Sequence, residues 1–171
     1  MTTPAAIRVL TPKDLTLMRS MLAMFGHAFE DVATYTARQP DDAYLAGLLA
    51  KPDFIAIAAV QDDRVVGGLT AYVLHKFEQA RAETYIYDLA VDERFRRQGI
   101  ATALIREVQR VSRAKGGYVV FVQADYVDEP AVALYTRLGT REDVLHFDLA
   151  EECAQLDPAI ERTMADEGRQ C

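Results

Sequence analysis

The sequence predicts an α/β domain, an α+β mixed sheet in which an antiparallel meander is followed by a parallel strand–helix–strand crossover. Three observations carry that prediction. The β-rich runs FIAIAAV (54–60), RVVGGLTAYVL (64–74) and ETYIYDLAV (83–91) follow one another, the first two separated by the turn QDD, as in a meander. From Arg97 the apolar period changes: Ile100, Leu104, Val108 and Val111 recur at four- and three-residue spacing, the mark of an amphipathic helix. That helix leads into the apolar run YVVFVQA (118–124), and a unit of this kind makes a parallel crossover.

Each element has a local reason. Ala6–Leu10 reads as a short strand. In Thr11-Pro12-Lys13-Asp14 the threonine suits a helix cap, the proline its first position and the aspartate a capping box, so a helix is expected from there to about Phe25. Asp41 opens a second helix through Leu49, which Lys51-Pro52 ends because proline keeps its predecessor out of the helical region. The third strand of the meander covers 82–91. The helix from Arg97 carries Arg106, Glu107, Arg110 and Arg113 on its polar side and stops at Gly116-Gly117. Residues 118–124 read as a strand buried on both faces. Asp128 or Glu129, before Pro130, starts a short helix that ends at Gly139. The alternation of VLHFDL (144–149) fits a closing strand, with His146 expected to be buried in it.

The 171 residues suit one domain, placed at 1–150, followed by a tail at 151–171 that is either a loosely docked helix or disordered. Half of the residues are hydrophobic, which excludes a disordered chain. No apolar run reaches the ~18 residues of a membrane span, and Met1-Thr2-Thr3-Pro4 lacks the order of a secretory signal, so a cytoplasmic protein without a membrane partner is expected. The net charge is −7, of which the tail, with six acids and two arginines, carries −4. The acidic balance argues against nucleic acid and favours cationic partners. Cys153 and Cys171 outline neither a disulfide scaffold nor a metal cluster, and His27, His75 and His146 lack ligand spacing, so no metal is expected.

Against that acidic background, RFRRQGIATALI (94–105) gathers three arginines and a glycine where a helix starts. A helix start exposes unpaired N–H groups and the positive end of the macrodipole, so it suits an anion, and a glycine lets an oxygen-rich group come close. The other reading is a solvated basic run with a packing glycine. RRQGIA resembles the pyrophosphate loop of the GCN5-related N-acetyltransferase (GNAT) superfamily: Arg or Gln, two residues, Gly, one residue, Gly or Ala, here Arg96, Gly99 and Ala101. The resemblance implies the GNAT acyl-CoA N-acyltransferase fold, a central twisted mixed sheet with flanking helices, and acetyl-CoA as cofactor with coenzyme A as product. It implies that backbone N–H groups of Arg97, Gln98, Gly99, Ile100, Ala101 and Thr102 hold the pyrophosphate, with Arg96 beside them. Backbone atoms of Leu89, Ala90 and Val91 would pair with the pantetheine arm. PAVALYTRLG (130–139) puts Tyr135 where the family places a tyrosine near the thioester sulfur, although Thr140 stands where many members have an aromatic.

Longer stretches narrow the acceptor. FGHAFEDVATYT (25–36), QPDDAYL (39–45), HKFEQARAETYIYDLAV (75–91) and VQADYVDEPAVALYTRLG (122–139) are together similar to an aminoglycoside 3-N-acetyltransferase of the gentamicin-acetylating kind, over residues 20 to 149. That likeness implies acetylation of the 3-amino group of the 2-deoxystreptamine ring, antibiotic resistance as the outcome, and a homodimer. A polycationic acceptor calls for carboxylates, and the candidates are Glu30, Asp31, Asp88, Asp125, Asp128 and Glu129, with Tyr85, Tyr87 and Tyr126 as walls. Asp128 as a helix cap and Glu30-Asp31 as a solvated loop are the competing readings. Asp88 is the first choice to accept the amine's proton, with Glu83 second, although a carboxylate beside an ammonium also keeps it charged and so can orient it instead. Tyr135 would donate to the leaving thiolate, or simply pack, and a backbone N–H in 88–90 would hold the oxyanion. With no Ser/His/Asp set and no cysteine in the body, transfer is expected to be direct. The alternatives are a polyamine or a peptide or protein amine as acceptor, and a non-catalytic acetyl-CoA-binding domain.

Overall fold

In the computed structural model, which describes residues 4–147 and 149, the elements run β1 (Ala6–Val9), α1 (Leu15–Ala28), α2 (Val32–Thr36), α3 (Asp42–Leu49), β2 (Phe54–Gln61), β3 (Arg64–His75), β4 (Ala82–Val91), α4 (Ile100–Ala114), β5 (Gly117–Val122) and α5 (Glu129–Leu138). The strands form one five-stranded sheet in chain order. β1 to β4 are antiparallel neighbours and β5 lies parallel to β4, so the expected mixed sheet is present. The chain divides into two compact units, up to Leu134 and from Tyr135.

The two faces of the sheet are covered by different helices, and a pair of glycines makes that tight. Successive strand residues point to opposite faces. A Cβ on Gly67 would lie 3.1 Å from Ile100 of α4, and one on Gly68 would lie 2.6 Å from Met21 of α1. Gly67-Gly68 therefore lets both helices approach β3. Met21, Phe25 and Leu45 on one face, and Leu104 and Val108 of α4, are fully buried. The crossover is fastened by a buried hydroxyl pair, Thr84 Oγ1 donating to Ser112 Oγ at 2.7 Å. The β2–β3 turn is Asp62-Asp63, both at positive φ (49° and 58°), the geometry that follows the strand twist in a two-residue hairpin.

Several expectations change. The expected capping-box bond is present, Asp14 accepting from the Thr11 N–H and hydroxyl at 2.9 and 2.7 Å, but Thr11 to Asp14 are not helical and α1 starts after them and runs to Ala28. The short helix α2 was not expected at all. α4 begins at Ile100 rather than Arg97, because Arg97 and Gly99 have positive φ, which a helix cannot accommodate. β5 is not buried on both faces: among the described residues it is the last strand of the sheet, and Tyr118 and Phe121 are exposed. An apolar run records what a strand's side chains are, not how many layers cover it. Residues 144–147 are exposed and belong to no strand among the described residues, so the closing strand and the burial of His146 are not found. Alternation supplies a strand's faces, whereas a strand exists only when a neighbour takes its backbone bonds. Residue 148 and the tail, with both cysteines, lie outside the described residues. Among the described residues no helix is long and apolar enough to cross a membrane.

Candidate active site

Two features meet at β4: a split in the sheet and a bulge. β4 pairs with β5 only as far as Ile86↔Val122, so among the described residues Tyr87–Val91 have no strand on that side. An unpaired edge of this kind accepts another extended chain through backbone hydrogen bonds. On the β3 side, Thr70 is opposite Asp88 while Ala71 is opposite Ile86, which leaves Tyr87 as an extra residue. A bulge turns two successive side chains toward one face. Tyr87 meets Tyr72 of β3 at a ring separation of 5.9 Å, and Asp88 meets Thr70, so both lie on the face that α1 covers.

Asp88 is half-buried and held by two hydroxyls. Thr70 Oγ1 donates to its Oδ2 at 2.6 Å, and the Tyr35 hydroxyl stands 3.4 Å from its Oδ1. These groups share a cavity of about 160 Å³ with Phe25, Phe54, Tyr72 and Tyr87. Its wall continues across the sheet as an aromatic row in register: Phe54 opposite Tyr72, Tyr72 opposite Tyr85, Tyr85 opposite Phe121. The row's rings touch, at 5.3 Å for Phe54 and Tyr72 and 5.0 Å for Tyr85 and Phe121. An aromatic wall with one carboxylate suits a cationic, ring-shaped guest through ring faces and charge.

The start of α4 is built for an anion. Gly99, at φ +80°, caps the helix without a side-chain acceptor for the first-turn N–H groups, and nothing lies within 4 Å of where its Cβ would be. The donors of residues 100–102 therefore face open space. Of the three arginines, Arg94 is held by the Asp92 carboxylate through Nε and Nη2 at 3.1 and 2.8 Å, and Arg96 donates to the Val91 carbonyl at 3.2 Å. Arg97 and Gln98 are exposed beside the cap. The first-turn donors, the space beside Gly99 and the edge of β4 left unpaired among the described residues fit the pyrophosphate and arm of acetyl-CoA.

The other sequence candidates fall in different places. Glu83 stands at the far end of β4, accepting from the Tyr118 hydroxyl and paired with Lys76 at 3.4 Å; the tyrosine bond first, and Lys76 after it, lower its pKa. Five residue steps along the strand, roughly 16 Å, separate it from Asp88. Glu30 lines a separate cavity of about 770 Å³ with His27, Asp63, Arg64, Asp92 and Arg96. That larger cavity has mixed charges, and its Asp92 is neutralised by Arg64 and Arg94. Asp31 caps α2, accepting from the Thr34 N–H at 3.2 Å. Asp128 accepts from the Ala131 N–H at 3.1 Å, so it does act as a cap for α5, with Glu129 in the first turn. Asp125 and Tyr126 are exposed after β5. Tyr135, on α5, is half-buried and belongs to the second unit. Among the described residues no His, Cys, Asp and Glu group could hold a metal.

Tyr35 and Thr70 have no counterpart in the sequence reading. A threonine inside an apolar strand and a tyrosine in a five-residue helix carry no spacing signal. Tyr35 is brought in by its surroundings: its ring packs 5.8 Å from Phe29 and 6.2 Å from Phe25. Arg19 fixes the chain just beyond α2 by donating to Gln39 and to the Pro40 carbonyl at 3.1 Å each.

A mixed sheet that opens at a bulge, beside a helix start capped by a glycine with no side-chain acceptor, fits an acyl-CoA-dependent transferase. The chain belongs to the acetyltransferase (GNAT) family, whose sequence profile matches residues 18–140. Acetyl-CoA is the family's acetyl donor. Among solved structures, an aminoglycoside acetyltransferase from an uncultured soil metagenomic sample is 51% identical, with a TM-score of 0.85 over 88% of this chain and 100% of that one. A second aminoglycoside acetyltransferase from an uncultured soil metagenomic sample, in complex with sisomicin, is 34% identical with a TM-score of 0.79 over 86% of this chain and 97% of that one. Among curated proteins, the glucosamine 6-phosphate N-acetyltransferase of Trypanosoma brucei brucei is 30% identical, over 79% of this chain and 88% of that protein.

Proposed function

We propose that this enzyme acetylates an aminoglycoside, at the 3-amino group of the 2-deoxystreptamine ring, by direct transfer from acetyl-CoA. The observation that carries the acceptor class is the setting of Asp88, a half-buried carboxylate in an aromatic cavity beside the unpaired edge of β4. The likeness to two aminoglycoside acetyltransferases supports it. The 3-amino position, resistance and a homodimer rest on the sequence resemblance.

Acetyl-CoA, when bound, supplies an activated acetyl thioester. The first-turn N–H groups of α4 and Gln98–Gly99 hold its phosphates, with Arg96 and Arg97 adding positive charge. Leu89, Ala90 and Val91 hold its arm along the open edge. Asp88 attracts the cationic acceptor, orients the reacting amine and takes its proton, directly or through water. Tyr72, Tyr85 and Tyr87 wall the amino-sugar rings. The sequence resemblance gives Tyr135 as the donor of a proton to the leaving sulfur. Asp125, Tyr126 and Glu129 add polar contacts for the outer rings, and Glu30 and Asp31 contribute to the acidic field. Glu83 is the second candidate for the proton, engaged here by Lys76 and Tyr118.

The glucosamine 6-phosphate relative favours a second reading, a phosphorylated amino sugar as acceptor. Among the described residues, those lining the Asp88 cavity include a carboxylate and no lysine or arginine, which opposes a phosphate there. The test is to mix the purified protein with acetyl-CoA and gentamicin, glucosamine 6-phosphate or a polyamine, follow thiol release, and locate the acetyl group by mass spectrometry and NMR. Acetylation of gentamicin at N3 is expected. Release only with one of the other amines would discard the aminoglycoside, and acetylation at another gentamicin amine would discard the position.

A further inference from the structure

We propose that Tyr35 and Thr70 are positioning residues for Asp88, reaching it from α2 and β3 to hold its carboxylate in one orientation toward the acceptor amine. The inference rests on the reading of Asp88 as the acceptor-facing group. A lone carboxylate rotates about χ2, a broad torsion, and its oxygens can turn away from an approaching amine. Here the two oxygens are fixed separately. Thr70 Oγ1, on the residue directly opposite in the β3–β4 ladder, is 2.6 Å from Oδ2, the length of a charge-assisted bond. The Tyr35 hydroxyl is 3.4 Å from Oδ1, longer and weaker. Each carboxylate oxygen can accept two bonds, so one site on each is left for the amine or a water.

Both donors are secured. Thr70 is 6% exposed, in the middle of the sheet. Tyr35 is set by Phe25 and Phe29, and α2 itself is capped by Asp31. Burial first, and then the neighbouring Asp88, push the Tyr35 hydroxyl up to about 12, so it remains a proton donor throughout the working pH range. The bulge at Tyr87 completes the device, since without the extra residue Asp88 would not be opposite Thr70.

The test is steady-state kinetics on wild type, Thr70→Val, Thr70→Ser and Tyr35→Phe, with gentamicin and, in parallel, spermidine as acceptor. Melting temperature and the KM for acetyl-CoA are measured alongside. Thr70→Val keeps the shape and removes the hydroxyl; kcat/KM for the acceptor should fall by about tenfold or more, as for a lost bond to a charged group. Thr70→Ser should restore it to within about threefold, and Tyr35→Phe should lower it by about threefold, in keeping with the longer contact. The KM for acetyl-CoA should not move. Wild-type turnover by Thr70→Val, or a Thr70→Ser as poor as the valine variant, would overturn the proposal. If the wild type acetylates spermidine but not gentamicin, the aminoglycoside reading fails and the same series is read on spermidine. A wild type that acetylates neither amine removes the premise and the proposal with it.

Discussion

Gly99 and Gly116 form a matched pair that isolates what the start of α4 does. Both have φ +80°, and neither would bring a Cβ within 4 Å of another residue. Alanine at either position therefore meets no clash and carries the same cost, that of an L-residue in the left-handed region, about 1–2 kcal/mol. For a chain of this size each kcal/mol lowers Tm by roughly 2–4 °C, so both variants should melt about 2–8 °C below wild type. They differ in place. Gly99 caps the N-terminus of α4 and Gly116 follows its C-terminus, across 15 helical residues or about 22 Å. Only the Gly99 Cβ would stand where phosphate oxygens approach the open N–H groups. Losing one bond to a charged group weakens binding by about 1.5–3 kcal/mol, or roughly 10- to 150-fold in Kd. Acetyl-CoA titrated calorimetrically into Gly99→Ala should show that loss, and Gly116→Ala should bind as wild type does. Equal affinity in Gly99→Ala, or an equal loss in both, would refute the assignment of this helix start to the coenzyme.

Three further outcomes follow from the contacts. Thr84→Val and Ser112→Ala should each lower stability by about 1–3 kcal/mol in urea melts, because each leaves a buried hydroxyl without its partner, and the double variant should lose less than the sum. Asp14 has its pKa lowered by the Thr11 side-chain bond, then by the Thr11 backbone bond and by Arg8. Its folded pKa is thus below the unfolded value of 3.8, so its contribution is fully present above about pH 4 and drains away as the pH falls below that; Asp14→Asn should melt lower than wild type at pH 7 and approach it in strong acid. Arg96→Ala should raise the KM for acetyl-CoA by about tenfold and shift Tm little, as Arg96 is exposed and its contact with the Val91 carbonyl joins the loop to the open edge of β4.

The meander, the crossover and the glycine turn before α4 were legible in the sequence because each depends on neighbours within a few residues. β-branched and aromatic runs between turn residues make the strands, a period near 3.6 makes the buried stripe of α4, and Gly99 between Arg96 and Ala101 marks a turn in the left-handed conformation. Asp88 also stood out locally, as an acid among the apolar residues of YIYDLAV.

What surrounds Asp88 was decided by tertiary structure alone. The bulge that turns Tyr87 and Asp88 to one face arises from the register between β3 and β4, which no single strand encodes. Thr70 lies 18 residues from Asp88 and Tyr35 lies 53 residues away, and neither belongs to a spacing motif. The same limit explains why β5 is a strand as read but not covered on both faces, and why 144–147 form no strand among the described residues: coverage and pairing come from other parts of the chain. Local sequence therefore determined which backbone conformations form and which helix start lacks a side-chain cap. The packing of distant segments determined which oxygen of which carboxylate is held, and by what, because a hydrogen bond made across the sheet depends on a distance that the sequence does not contain.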